Sequence, residues 1–238
     1  ITKAGEKAIH AMLKDLESPD GSIIKPIIID IKHMSRKSRL DYFDLLKNYP
    51  NNNIPIIVSH GCVTGLSEPG GIHTTRISQE NIFNTDDINF FDDEIIRIGN
   101  SNGLFGIQLD ERRIGSKSVL RETKAVMSKR NTLYSWSKLV WNQISHIAEV
   151  LDADGQFAWG IQSLGTDFDG IIDPIDGYWT AEQIDYLDDY LLMHAYNYVK
   201  EIKLPCPLTQ ERNRKIEPEK IVERIMTSNA LTVLARIM

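Results

Sequence analysis

The sequence predicts an α/β fold built on a parallel sheet, and three observations lead there. Short apolar runs rich in β-branched residues alternate with helical stretches, the order that produces parallel strands joined by crossover helices. The runs are continuously apolar instead of alternating with polar residues, as strands covered on both faces are. Clusters of Gly, Pro, Asn and Asp punctuate the intervals. Two architectures meet this pattern, a doubly wound sheet and part of a (β/α)8 barrel. Four strands cannot close a barrel of eight, so the barrel requires more chain upstream.

Taken in order, residues 3–16 put Ala8, Ile9, Met12, Leu13 and Leu16 on one face of a helix. A turn cluster over 17–25 leads to the first strand, 26–31. Ser35 then caps a helix over 36–48, in which Leu40, Phe43, Leu46 and Lys47 recur. The polar turn Asn51-Asn52-Asn53 precedes a second strand at 54–59. A long loop rich in Gly, Thr and Asn runs from Gly61 to about Asp86. A helix at 88–99 and a third strand at 103–109 follow. Residues 110–130 are charged and irregular, an excursion from a single domain spanning 1–238. An amphipathic helix over 132–151 carries Trp136, Leu139, Val140, Ile144, Ile147 and Val150. The fourth strand is 157–165, and helices are expected at 180–200 and within 217–236. No internal repeat of fixed period is evident.

At 238 residues with 42% hydrophobic content the chain can bury a sizeable core. Its net charge of -6 gives no support to nucleic-acid binding. Cys62 and Cys206 are too few for a disulfide framework and wrongly spaced for a zinc ribbon. Reduced thiols are expected, which favours a cytoplasmic setting over a periplasmic or membrane-anchored one. No apolar run spans a bilayer and no signal peptide is visible. Ile1 opens directly into a helical pattern, so the chain reads as an interior cut of a longer protein.

In parallel α/β folds, catalytic groups gather just past the C-terminal ends of the strands. There the sequence supplies His33 after the first strand, His60 after the second and Asp167 after the fourth. Neutral imidazoles are natural ligands for a divalent metal, and a nearby carboxylate ligates it or takes a proton from its water. His73 lies in the long loop on the same face and is a candidate ligand contact. His10, His146 and His194 fall on helices and are expected to be solvated or satisfied in the core. Asp169-Gly170 reads as a turn in which Asp169 caps backbone amides. The basic stretch 112–130 reads as a solvated surface.

These segments resemble the renal (membrane) dipeptidase family of the amidohydrolase superfamily. Asp30-Ile31-Lys32-His33-Met34-Ser35 is similar to its D-x-x-H-[MV]-S, and Pro55-Ile56-Ile57-Val58-Ser59-His60 to its P-[VI]-[IV]-x-S-H. Gly165-Thr166-Asp167-Phe168-Asp169-Gly170 is similar to its G-[SGT]-D-F-D-G. The opening Ile1-Thr2-Lys3-Ala4-Gly5 and the closing Ser228-Asn229-Ala230-Leu231 also match in order. The resemblance implies the C-terminal portion of a (β/α)8 TIM barrel holding two zinc ions. His33 and His60 would ligate one zinc, and Asp167 would accept and return the proton of the attacking water. The substrate would be a dipeptide or other small amide.

Some expected parts have no counterpart. The H-x-D pair, the bridging glutamate and a substrate-contacting histidine would come from the missing N-terminal part of the same barrel. The position of the arginine that grips the substrate carboxylate is apolar here, near Ile88 and Asn89, which leaves Arg76 as the candidate for that role. Two other readings stay open: a non-catalytic barrel relative used for binding or assembly, and an amidohydrolase acting on a lactone or an acylated amino acid. Related enzymes often pair, so a homodimer is a further expectation.

Overall fold

Thr2 starts the first helix by accepting the Gly5 N–H at 3.2 Å, and the helix α1 (Lys3–Leu13) buries Ile9 and Leu13. It stops three residues short of its predicted end. Lys14 turns extended, and Leu16 pairs with Ile24 in a small antiparallel ladder of β1 (Leu16–Glu17) and β2 (Ile23–Ile24). The computed structural model describes residues 1–14, 16–17, 23–24, 26–49, 54–200 and 205–237. Most of the turn expected over 17–25, and the Asn51-Asn52-Asn53 turn, lie outside them.

The main sheet has three parallel strands in chain order: β3 (Ile57–Gly61), β4 (Leu104–Ile107) and β5 (Gln162–Leu164). The predicted first strand, 26–31, contributes one bridge, Asp30 to Ile57, with the Ile31 N–H on the Ile57 carbonyl at 3.0 Å. Pro26 has no N–H to give, and Ile27 gives its own to Met12 at the end of α1. Among the described residues the chain is thus a mix of helices and strands around a three-stranded parallel sheet, compatible with the α/β class, and no closed barrel is formed. The strands are shorter than expected. Residues 157–161 turn instead of extending, and Ile56 gives its N–H to Ser101 Oγ before β3 begins.

Ser35 caps α2 (Arg36–Leu46) by accepting the Ser38 N–H at 3.3 Å, as expected. Of the expected face, Phe43 is buried and Leu40 and Leu46 pack against the core while Lys47 is exposed, and Arg39 and Tyr42 join them inside. Helix α3 (Asp92–Asn100) starts four residues late. Before it, Phe90 is drawn into a short parallel contact, giving its N–H to Cys62 and accepting that of Thr64, both at 2.9 Å. The stretch 110–130 is more regular than expected, containing α4 (Glu111–Ile114) and α5 (Lys117–Lys124). Its charges pair locally, Arg112 with Asp110, Arg113 with Asp86 and Lys124 with Glu111.

The core is laid over α6 (Lys129–Ala153), whose Trp136, Val140, Trp141, Ile144 and Ile147 are sealed among Phe105, Ile107 and Trp159. Truncating a buried Trp in such a cluster to Ala costs about 3–5 kcal/mol. Helix α7 (Ile184–Lys200) packs on α6, and α8 (Glu211–Arg214) follows. The chain then runs through α9 (Pro218–Glu223), one π turn (Arg224–Ser228) and α10 (Asn229–Ile237). Asn229 enters the core and donates from Nδ2 to the carbonyls of Trp159 and Gln162, at 3.0 and 2.8 Å. Among the described residues no helix is long and apolar enough to cross a membrane.

Candidate active site

The site begins with an irregularity in β3. Ile57 and Val58 pair with Leu104 and Phe105, but the next partner of Ile107 is Gly61, so β3 carries one extra residue. The bulged Ser59–His60 peptide lies across the neighbouring strands. A Cβ at Gly106 or Gly165 would come within 2.1 or 2.0 Å of the Ser59 carbonyl oxygen. Both glycines are needed for that approach, and the bulge brings His60 toward the end of β5.

A short relay fixes the His60 ring. Ser59 Oγ donates to Asp30 Oδ2 at 2.5 Å and lies 2.8 Å from His60 Nδ1. Because the single hydroxyl proton is committed to Asp30, the His60 contact requires Nδ1 to be the donor. Nε2 of the neutral ring is then unprotonated, and it faces Asp167 Oδ2 at 3.6 Å. Burial lowers the His60 pKa against the opposing pull of the Asp167 carboxylate, which favours that neutral ring. Asp30 also accepts the N–H of Ser59 at 3.0 Å and of Lys32 at 3.1 Å, binding the ends of two strands together.

Asp167 sits just past β5 in the left-handed region, at φ 58°. Asp tolerates that conformation better than most residues. Its carbonyl accepts the N–H groups of Gly170 and Ile171, closing a tight turn. A Cβ at Gly170 would meet Asp167 Oδ1 at 2.5 Å. Gln108, past β4, donates from Nε2 to Asp167 Oδ2 at 3.2 Å. His33 is exposed, and its ring lies 5.1 Å from that of His60, edge to face. His33, His60 and Asp167 thus converge from three separate parts of the chain.

No family model matches the chain, and no curated protein matches it.

In kind, the donors suit a divalent metal: two imidazoles and a carboxylate. A lone pair on His60 Nε2 facing a carboxylate oxygen is an arrangement that a shared cation relieves. In number they fall short of a closed site. Among the described residues no three or more His, Cys, Asp or Glu side chains are gathered to hold a metal ion. His33, His60 and Asp167 therefore meet without forming a metal-holding group among the described residues.

The other candidates are not brought to this cluster. Arg76 receives the Glu149 carboxylate on its main-chain N–H at 3.0 Å and sends its guanidinium to the Pro205 carbonyl at 3.2 Å. That position, beside α6 and the segment after α7, leaves the carboxylate-gripping role without support from the geometry. His73 Nδ1 lies 3.0 Å from the Gly65 carbonyl, within its own loop. Asp169 is exposed, and the turn it was expected to cap is closed on the Asp167 carbonyl instead. His146 and His194 are satisfied core residues, the first between Asp92 (2.7 Å) and Thr75 (2.8 Å), the second with Ser137 (2.9 Å). Cys62 and Cys206 are free thiols, and burial pushes that of Cys62 up to about 12.

Sequence reasoning missed Ser59, Gln108 and Asp30 as supports of the site, although two of them adjoin or begin the quoted motifs. It also missed Lys32. Only 2% exposed, this residue has no hydrogen-bond partner for Nζ, and burial lowers its pKa.

Proposed function

We propose that this chain carries part of the active site of a metal-dependent hydrolase of small amides, of the renal dipeptidase kind. One observation carries the reading: His33, His60 and Asp167 come from three segments to one place, with His60 Nε2 3.6 Å from the Asp167 carboxylate and the His33 and His60 rings 5.1 Å apart. Parallel strands in chain order, with helices between them, are compatible with an arc of a (β/α)8 barrel.

In this reading His33 and His60 hold a divalent metal, with zinc the natural choice for imidazole donors. The bound metal supplies Lewis-acid polarisation and a water acidic enough to ionise near neutral pH. Asp167 accepts a proton and returns it to the leaving amine, and Gln108 keeps its carboxylate in place through the 3.2 Å contact. The Asp30–Ser59 relay holds the His60 tautomer that leaves Nε2 available.

The test is zinc uptake by the protein and by its His33→Ala and His60→Ala variants, followed by elemental analysis and a panel of dipeptides. Zinc that stays bound in wild type and is lost in both variants, with dipeptide cleavage lost in Asp167→Asn, is the expected result. Equal zinc content in all three proteins would overturn the assignment.

A further inference from the structure

Large apolar side chains exposed singly are ordinary, but several gathered around a hollow mark a surface that binds something. The seam where the start of α6 meets the start of α7 has that character. Met127 is 96% exposed, Tyr186 51% and Met193 43%, and all three border it. A hollow of about 510 Å³ lies between the helices over Leu133, Tyr186, Tyr190 and Met193. A second, of about 310 Å³, shares Leu133 and Tyr186 with it and reaches Met127 and Gly177. Pockets for small ligands occupy about 300–1,000 Å³. The walls are preformed. Tyr190 donates its hydroxyl to the Arg130 carbonyl at 3.3 Å, and Tyr178 donates to the Leu133 carbonyl at 3.0 Å. Gly177, at φ 86°, leaves its wall bare, where a Cβ would come 2.4 Å from Leu133.

The charges around the seam are segregated. Lys129 and Arg130 stand on the α6 side, and neither is paired with a carboxylate among the described residues. Asp189 borders the larger hollow from the α7 side, with Asp185 and Asp188 beside it on the same helix. Burial and the charges of Asp189 and Asp185 raise the Asp188 pKa, with no cation opposing them. The smaller hollow is different. Among the described residues that line it, Lys129 alone is charged. An anionic group therefore belongs at Lys129, and a second negative charge further along would meet Asp189.

We propose that the seam between α6 and α7 binds a free amphiphile carrying one negative charge. Its head group pairs with Lys129, Arg130 adds a second positive charge nearby, and its apolar body lies along Leu133, Tyr186 and Met193. Tyrosine rings and methionine thioethers receive an aromatic or an alkyl body alike. A second copy of the chain fits less well, because a twofold axis would set hollow against hollow and leave the space unfilled. None of these residues belongs to the His33, His60 and Asp167 cluster, so the site stands apart from the hydrolase reading.

The experiment adds anilinonaphthalene sulfonate, an aromatic body with one anionic group, to the folded protein and follows its fluorescence. Decanoate, decanol and decyltrimethylammonium then compete for the site. Wild type is expected to release the dye to decanoate at a concentration at least about threefold lower than to decanol, the scale of one exposed ion pair, with the cation weakest of the three. Lys129→Glu should weaken decanoate by at least about tenfold, since attraction becomes repulsion, and leave decanol unchanged. It should keep the fold, because a carboxylate suits the first turn of a helix. Tyr186→Ser should weaken decanoate and decanol alike, by about fivefold. Urea unfolding checks that each variant is native. Decanol competing as well as decanoate, or dye bound equally by wild type and both native variants, would remove the assignment. So would a dimer, measured by sedimentation, that hides the dye site and resists decanoate, which would give the seam to a second copy. Retention on vesicles of anionic lipid, unaffected by decanoate, would give it to a membrane and count equally against the free ligand.

Discussion

Replacing Arg39 with Met tests how the loop that carries His33 is held. Arg39 and Glu94 are fully buried and paired twice, Nε to Oε1 at 2.6 Å and a terminal nitrogen to Oε2 at 3.1 Å. The same guanidinium donates to the carbonyls of Met34, Asp87 and Asn89, each at 3.1 Å, and lies over the Phe90 ring at 4.3 Å. One side chain thus fastens α2, the residue after His33 and the approach to α3. In Arg39→Met, Glu94 keeps the Phe91 N–H at 3.1 Å and a distant Arg36 at 3.9 Å, too little for a sealed carboxylate. Removing one partner of a buried pair costs about 3–5 kcal/mol. With a urea slope of about 2–3 kcal/mol per molar, the unfolding midpoint should fall by about 1–2.5 M. The double variant Arg39→Met/Glu94→Leu should recover part of that loss, because no ion is left behind. A loss in Arg39→Met below about 1 kcal/mol, or a double variant whose cost is the sum of the singles, would refute the reasoning.

Three further outcomes follow from the geometry. On the proposed hydrolase reading, Ser59→Ala should weaken zinc binding by about 10–100-fold while leaving urea stability nearly unchanged, since it removes the group that orients His60 and little packing. Gly106→Ala should destabilise the fold by about 1–3 kcal/mol in the same assay, because its methyl group would meet the Ser59 carbonyl at 2.1 Å. His194 gives a pH signature: burial lowers its pKa from 6.5 to about 3, so it folds in the neutral form. Between those values the unfolded chain binds a proton that the folded chain refuses. Its contribution is complete above about pH 6.5 and is lost as pH falls, by at most about 1.4 kcal/mol per unit. His194→Gln should flatten this part of the stability profile measured from pH 7 to 4.

The alternation of apolar runs with helices made the α/β class legible, since burial on both faces leaves a strand no polar positions. The meeting of His33, His60 and Asp167 was legible because the ends of neighbouring strands in a parallel sheet lie side by side. What failed was decided by hydrogen bonds that pattern cannot carry. Strand 26–31 shrank to one bridge because Ile27 gave its N–H to Met12. The buried face of α2 also takes in Arg39, which a hydropathy pattern puts outside, because it is matched by Glu94 across 55 residues of chain. Arg76 was chosen for charge and proximity in sequence, and its guanidinium went to a carbonyl elsewhere. Gln108 carries no signal of its own, and Ser59, although inside the second motif, gives no hint of its partner Asp30. Their roles exist only because a one-residue bulge sets His60 against the end of β5.

The π turn before α10 has a consequence for rotational phase. Ile221, Ile225, Asn229 and Val233 are all buried, at a strict spacing of four. An α-helix turns about 100° per residue, so each step of four overshoots a full turn by about 40°, and three steps drift by about 120°. A regular helix from Pro218 to Ile237 would carry its last inward residue well around the cylinder. The wider turn, in which the Asn229 N–H reaches back to the Arg224 carbonyl, absorbs one extra residue and cancels part of that drift. Asn229 therefore returns to the inward side, where its amide can tie the last helix to β5. Deleting one residue from the turn would leave composition and hydrophobicity almost untouched and would point that amide at solvent.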